Sequence, residues 1–211
     1  MHAPPARVID ASKLSDNAMD AHAPLWWGNL LMILIETTTM ALLIAAYFYI
    51  RRNFWEWPPP RMDIGPPLLD PVPRLTAGTV NVLLLVASCV PMYWTDQAAR
   101  RLERGKVILG LLVMSLVAAA SLWLRWIEFW DFHFRWDDNA YASVVWTILG
   151  MHWFYIFAGL GEFLIMTAWA IRHPFEEKHA LDTTLIGGYW YWVAGIWVVT
   201  YVVLYWYPRW S

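Results

Sequence analysis

Residues 25–50 read LWWGNLLMILIETTTMALLIAAYFYI, and Glu36 is the one acidic or basic side chain among them. A helix needs about 18 or more mostly apolar residues to cross a ~30 Å hydrocarbon core, so this run predicts a transmembrane helix. Four further runs meet the same test: Leu75–Trp94, Val107–Leu124, Tyr141–Ile171 and Ile186–Tyr207. The fourth would be roughly 46 Å long at ~1.5 Å per residue, so it tilts or leaves the bilayer as helix. The expected fold class is all-α, a polytopic membrane protein built as a bundle of five transmembrane helices.

The composition agrees. Of 211 residues, 59% are hydrophobic and 15% charged, against about 25% charged in an average soluble protein. The 17 Trp, 10 Tyr and 9 Phe add more apolar surface than one soluble core hides, which argues against a soluble enzyme. A formal net charge of −2 leaves no basic excess to neutralise phosphates, so no nucleic-acid partner is expected. Cys89 is the single cysteine. It has no partner for an internal disulfide, a Cys-rich zinc site or an iron–sulfur cluster, and its apolar flanks read as a buried, inert thiol.

Residues 1–24 are polar, carry Asp10, Asp16 and Asp20, and lack the apolar core of a secretory signal. They read as a polar N-terminal arm, ahead of a five-helix domain over residues 25–211. Trp57-Pro58-Pro59-Pro60 and the basic run Arg100 to Lys106 punctuate the first two connections. Trp26, Trp27, Trp55, Trp57, Trp94, Trp126, Trp130, Trp206 and Trp210 gather at the expected span ends as an interfacial belt. Basic residues divide almost evenly between the two faces, with Arg125 counted in a loop beyond the third span. The shortest connection, Thr95–Lys106, is basic, and short loops weigh most in the positive-inside rule. This favours a cytoplasmic N-terminus.

Ionisable groups inside spans cost about 2.5–3.5 kcal/mol for Asp, Lys or Arg at a helix centre, so each needs a reason. Glu36, His152 and Glu162 stand well inside. With alternating spans, Glu36 and Glu162 lie ~16 Å and ~14 Å from the same face at ~1.5 Å per residue. Their carboxyls are expected to face each other or a common water pocket, holding a proton between them. The purely structural reading of Glu36 is a carboxyl hydrogen-bonded to Thr37 or Thr39. For His152 the expected role is a hydrogen bond to a neighbouring helix. His2, His22, His133, His173 and His179 fall in the arm or the loops. One intramembrane imidazole neither holds a haem on both faces nor forms a copper cluster, so no redox centre is expected in this chain. No phosphate-cradling glycine loop, nucleophile elbow or HExxH helix is present.

Over residues 26 to 206 the order of these features resembles subunit III of the haem–copper respiratory oxidases, in the short five-helix bacterial form. Trp27-Gly28 followed by Glu36 is similar to the family's Trp-Gly opening with a carboxylate nine residues after the Trp. Asn81, Ser88 and Trp94 fit its next helix, and Glu128-Phe129 fits the acid and aromatic that close the third. Tyr141, Ser143, Gly150, His152 and Gly159 resemble its Tyr-x-Ser opening and Gly-x-His core. Tyr189-Trp190, Trp197 and Tyr205-Trp206 match the aromatic frame of the last helix. Arg125 replaces a Gln of the family pattern, Tyr155 a second His, and Tyr191 and Ala194 a His and an Asp.

The resemblance implies a non-catalytic accessory subunit docked on catalytic subunit I and on subunit II, which carry the haem and copper, with structural phospholipid bound and no cofactor of its own. It makes Glu36 an intramembrane carboxylate that supports proton uptake, with His152, Glu162 and Glu128 as polar partners. Arg51, Arg52 and Trp55, and Arg172 with His173, are the candidate lipid head-group contacts; plain interfacial snorkelling also accounts for them. The complex served could be a cytochrome c oxidase, a quinol oxidase or a nitric oxide reductase. From another class, a small proton-coupled transporter would also place Glu36 and Glu162 at mid-depth, although no internal repeat supports it.

Overall fold

The computed structural model describes residues 23–59 and 72–210. All but the last two residues of the polar arm lie outside the described residues. Five long helices cover most of the rest: α1 Pro24–Arg51, α2 Leu75–Arg100, α3 Arg104–Asp131, α4 Ala140–Arg172 and α5 Glu177–Tyr201. Helix α5 continues through a π-helical turn, Val202–Trp206, into a short α6, Tyr207–Trp210. No strand occurs among the described residues. All five helices are long and apolar enough to cross a membrane, as the sequence predicts, and the chain is a multi-pass membrane protein.

The helices outrun the apolar stretches that announce them. Helix α2 runs past Trp94 to Arg100, α3 past Leu124 to Asp131, and α5 starts at Glu177 rather than Ile186. Hydrophobicity marks where lipid touches a helix, but backbone hydrogen bonding carries the helix on through the interface. Arg125 is thereby corrected from a loop position to a fully buried residue in the last two turns of α3.

Several helix ends have an identifiable cause. Pro24 occupies the first turn of α1, where its missing N–H costs nothing. The Asn139 side chain accepts from the Ala142 N–H at 2.8 Å and caps α4. Helix α2 ends in a Schellman turn: the Glu103 N–H reaches the Ala98 carbonyl at 3.0 Å and the Leu102 N–H reaches that of Ala99 at 2.9 Å. Leu102 therefore takes φ of 56°, the left-handed region where glycine is usual. Across the bundle, Arg104 donates to the last carbonyls of α4, Ala170 and Ile171, at 2.8 Å each.

Helices α2 to α5 pack as a four-helix core, and α1 lies outside against α4 and α5. Only Met40 and Tyr47 of α1 are buried, and its Leu31, Leu34, Ile35 and Leu42 point outward. Polar pegs fix the register. Trp190 donates its indole N–H to Ser88 on α2 and Trp192 donates to Thr37 on α1, both at 2.8 Å. The Asn29 amide reaches the Leu185 carbonyl at 3.1 Å. The start of α1 thus lies beside the first half of α5, while Tyr47 near its end packs at a tilt against Tyr141 at the start of α4.

Candidate functional site

Two polar clusters of the bundle hold the residues singled out in the sequence. The first lies where the ends of α3 and α5 meet α2 and α4. The Arg125 guanidinium contacts the Glu128 carboxylate at 2.5 Å one helical turn away. Its other terminal nitrogen sits 3.0 Å from His152 Nδ1 on α4, and its plane lies 3.6 Å over the Trp197 ring. Trp197 also stacks on His152 at 4.7 Å between centroids. Glu128 accepts a second hydrogen bond, from the Tyr205 hydroxyl, at 2.8 Å.

All five side chains are buried. An unpaired charge there would carry a penalty of several kcal/mol; Glu128 is offset by Arg125 and the Tyr205 hydroxyl, and Arg125 by Glu128, His152 and the Trp197 face, with its Nε left without a hydrogen-bond partner. Beside it, Ser121 donates to Asn81 at 2.5 Å, joining α3 to α2. Gly78 lets α2 approach: a Cβ there would lie 2.8 Å from the Tyr205 ring and 2.9 Å from a Glu128 oxygen. The π-helical turn widens the last helix over Val202–Trp206 and includes Tyr205, whose hydroxyl reaches Glu128.

The second place is the junction of α1, α4 and α5. Glu36 hydrogen-bonds the Tyr189 hydroxyl, and Glu162 lies within electrostatic reach of Glu36. Tyr155 directs its hydroxyl to the Glu36 carbonyl at 3.5 Å, and Tyr189 reaches the Tyr155 carbonyl at 3.4 Å. One carboxyl oxygen of each acid, Oε2, is buried with no hydrogen-bond partner. Thr37, Thr38 and Thr39 bond the carbonyls one turn back, at 2.6, 2.8 and 3.0 Å. The expected threonine partners of Glu36 are therefore replaced by Tyr189, because a threonine on a helix satisfies its own backbone first.

The structure thus separates residues that the sequence grouped. Glu36 and Glu162 lie within electrostatic reach of each other where α1, α4 and α5 meet, whereas Glu128 and His152 belong to the Arg125 cluster. His152 bonds the Val193 carbonyl of α5 at 3.1 Å, the inter-helix contact expected of it. With Arg125 on one nitrogen and Val193 on the other, its imidazole has no position left for a metal. Among the described residues no three His, Cys, Asp or Glu side chains are grouped as metal ligands.

The head-group candidates lie at opposite ends of the bundle. Arg51 donates to the Phe54 carbonyl at 3.1 Å and lies 6.0 Å from the Trp57 ring; Arg52 and Trp55 beside it are exposed. At the other end Arg172 and His173 are exposed, with His173 stacked on Trp169 at 4.9 Å. Two of the surface grooves bear on these residues. One, of about 580 Å³, is walled by Trp126, Trp130, Trp146 and Trp153 with Arg135 in its lining. The other, of about 470 Å³, runs along α4 and α5 and has Glu162, Asp182 and His179 in its lining.

Sequence reading missed that Arg125 and Tyr189 stand in these clusters and that Asp182 lines the second groove. The signal for Arg125 was the opposite charge of Glu128 three residues on, the spacing of a helical ion pair, with Trp126, Ile127, Phe129 and Trp130 carrying the apolar pattern past it. Asp182 lay in what read as a loop, because the apolar run that marks α5 begins only at Ile186.

Comparison with known proteins places this architecture. The sequence profile of the family "Cytochrome c oxidase subunit III" matches residues 8–209. Cytochrome c oxidase subunit 3 of Gadus morhua is 28% identical over 152 residues, which span 71% of this chain and 55% of the cod protein. That of Locusta migratoria is 22% identical over 184 residues, 85% of this chain and 68% of the locust protein. That of Saccharomyces cerevisiae is 26% identical over 206 residues, 94% of this chain and 73% of the yeast protein. Five apolar helices and a family match over nearly the whole length lead to one assignment: the chain belongs to the cytochrome c oxidase subunit III family.

Proposed function

We propose that this chain is a non-catalytic accessory subunit III of a haem–copper terminal oxidase, docked on subunits I and II and supporting proton uptake from its Glu36 site. The observation that carries the reading is the family match over residues 8–209. The electron-transfer chemistry is assigned to haem and copper in the partner subunits, as the family membership suggests. What this chain supplies is an acid in an apolar bundle. The Tyr189 hydroxyl orients the Glu36 carboxyl and leaves its Oε2 unpartnered, so a proton held there can be given to or taken from a neighbour without bond chemistry.

Structural phospholipid is the second part of the proposal. Arg52 with Trp55 at one face, and Arg172 with His173 at the other, pair an exposed cation with an aromatic side chain at a helix end, the arrangement that suits an anionic head group. The bacterial inner membrane and a cytoplasmic N-terminus complete the reading.

The test is to solubilise the native membrane mildly, purify through a tag on this chain, and record the reduced-minus-oxidised spectrum with mass identification of companions. Co-purifying haem with a histidine-rich catalytic subunit is expected. A copper-binding cysteine-rich companion then specifies cytochrome c as donor, and its absence specifies a quinol oxidase or nitric oxide reductase. A stable, haem-free protein purifying alone overturns the proposal in favour of a small proton-coupled transporter.

A further inference from the structure

The groove along α4 and α5 has a feature that the accessory role does not require. Its walls follow one face of each helix. On α4 they step through Glu162, Ile165, Met166 and Trp169, and on α5 through His179, Asp182, Leu185 and Ile186. These are the three- and four-residue spacings of a single helical face, so the lining runs continuously from the loop end of the bundle to mid-span. Glu162 stands at the inner end. One turn beyond Ile186 on the same face of α5 comes Tyr189, which bonds Glu36. Leu25, at the start of α1, closes the remaining side.

We propose that this groove is an aqueous inlet through which the Glu162–Glu36 pair exchanges protons with the membrane face at which α5 begins, with Asp182 as the surface acid that feeds it. The inference deepens the proton-uptake reading above and rests on it only for the use to which the proton is put.

Three observations support it together. The groove, at about 470 Å³, has room for on the order of ten waters at ~30 Å³ each. Polar partners stand along it, with the Asp182 carboxylate and His179 near the loop end and Glu162 at depth. Both deep carboxyls keep a buried Oε2 without a hydrogen-bond partner, which is an acceptor position for a water or for the partner acid's proton.

The charged and titratable groups around the path are few. Asp182 has His179 and Lys178 near it, His179 Nδ1 accepts from the Glu176 N–H at 3.1 Å, and the deep pair has Tyr155 and Tyr189 near it. The transfer is a simple proton hop. The Asp182 carboxyl releases a proton to water in the groove, a water gives one to Glu162 Oε2, and Glu162 exchanges it with Glu36; nothing is oxidised or reduced.

The experiment uses the intact complex in native membrane. The carboxyl C=O stretches of Glu36 and Glu162 are assigned by their loss in Glu36→Gln and Glu162→Gln, and their shift is followed after transfer to deuterated buffer. Fast exchange is expected in the native protein, slowed in Asp182→Asn, restored in Asp182→Glu, and lost when Ile186→Trp plugs the groove. Fast exchange in Ile186→Trp, or no exchangeable carboxyl at either position, overturns the inlet.

Should the plugged variant fail to assemble, Ile186→Cys in a Cys89→Ser background is treated with a charged, water-soluble thiol reagent. Labelling from one side of the membrane is expected, and protection of the thiol means that a lipid chain fills the groove and the inlet is wrong. Neither readout needs oxidase turnover. Haem-free purification would overturn the accessory role and leave the exchange result standing, whereas haem co-purifying with a slow-exchanging pair would overturn the inlet alone.

Discussion

Arg125 and Glu128 face each other at 2.5 Å inside the bundle, with side-chain exposures of 0% and 2%. No solvent screens the pair, so its stability depends on local contacts: Tyr205 on the carboxylate, His152 on the guanidinium and the Trp197 face beneath it. Removing one partner strands the other charge. Glu128→Ala is expected to cost about 3–5 kcal/mol, and Arg125→Ala a similar amount. In the double variant no ion is left uncompensated, so its loss should be well below the sum of the two. Thermal unfolding of the purified complex in mild detergent measures all three, and strict additivity would show that the two charges do not interact.

Gly78 controls how closely α2 can approach that cluster. A methyl group there meets the Tyr205 ring and a Glu128 oxygen below 3 Å, and both of those atoms are held by a hydrogen bond to each other. Gly78→Ala should therefore destabilise the bundle by about 1–3 kcal/mol, the usual cost of overpacking a filled core. The helix-propensity gain of alanine over glycine, about 1 kcal/mol, offsets part of this. An unchanged midpoint of thermal unfolding would mean that Tyr205 has room to withdraw.

The number and order of the helices could be read from hydrophobicity alone, because a span in lipid has to be long and apolar. Their ends could not. Arg125 and Asp182 are charged, and charge marks the end of an apolar run whether the residue lies in a loop or is paired within the helix. The approach of Glu36 to Glu162 was visible as a matter of depth, since rise per residue is fixed. Their meeting with Tyr189 was not, because which face of α5 turns toward α1 depends on packing that includes Trp192 on Thr37. His152 was legible in part. Its bond to a neighbouring helix followed from the cost of an unpaired imidazole in a bilayer, whereas its second partner, Arg125, came from a helix end that extends further than its hydropathy.

Leu102 is a site for stabilisation. Its φ of 56° places a branched side chain in a conformation that costs an L-residue roughly 1–2 kcal/mol. The side chain is exposed, so little packing is lost on removing it. Leu102→Gly is expected to raise stability by about 0.5–1 kcal/mol, after allowing for the greater chain entropy of glycine when unfolded. The two hydrogen bonds of the Schellman turn should persist, and amide exchange at Leu102 and Glu103 reports on them. Faster exchange at both would mean that the leucine side chain holds the turn.

The Glu36 site separates a structural role from a proton-handling one. Tyr189 contacts the Glu36 carboxyl, while Trp192 and Thr37 fix α1 against α5 independently of it. Glu36→Gln keeps the size and the hydrogen-bonding capacity of the side chain, so assembly and thermal stability should survive. It removes the exchangeable carboxyl proton, and turnover rate, proton yield or turnover lifetime should change by roughly twofold to tenfold, equivalent to about 0.5–1.5 kcal/mol for a modest interaction. Tyr189→Phe removes the orienting hydroxyl but leaves the carboxyl, and should give a smaller change in the same direction. Indistinguishable pH profiles, proton yields and lifetimes for both variants, in complexes that assemble normally, would make Glu36 a packing residue whose buried oxygen serves no proton path.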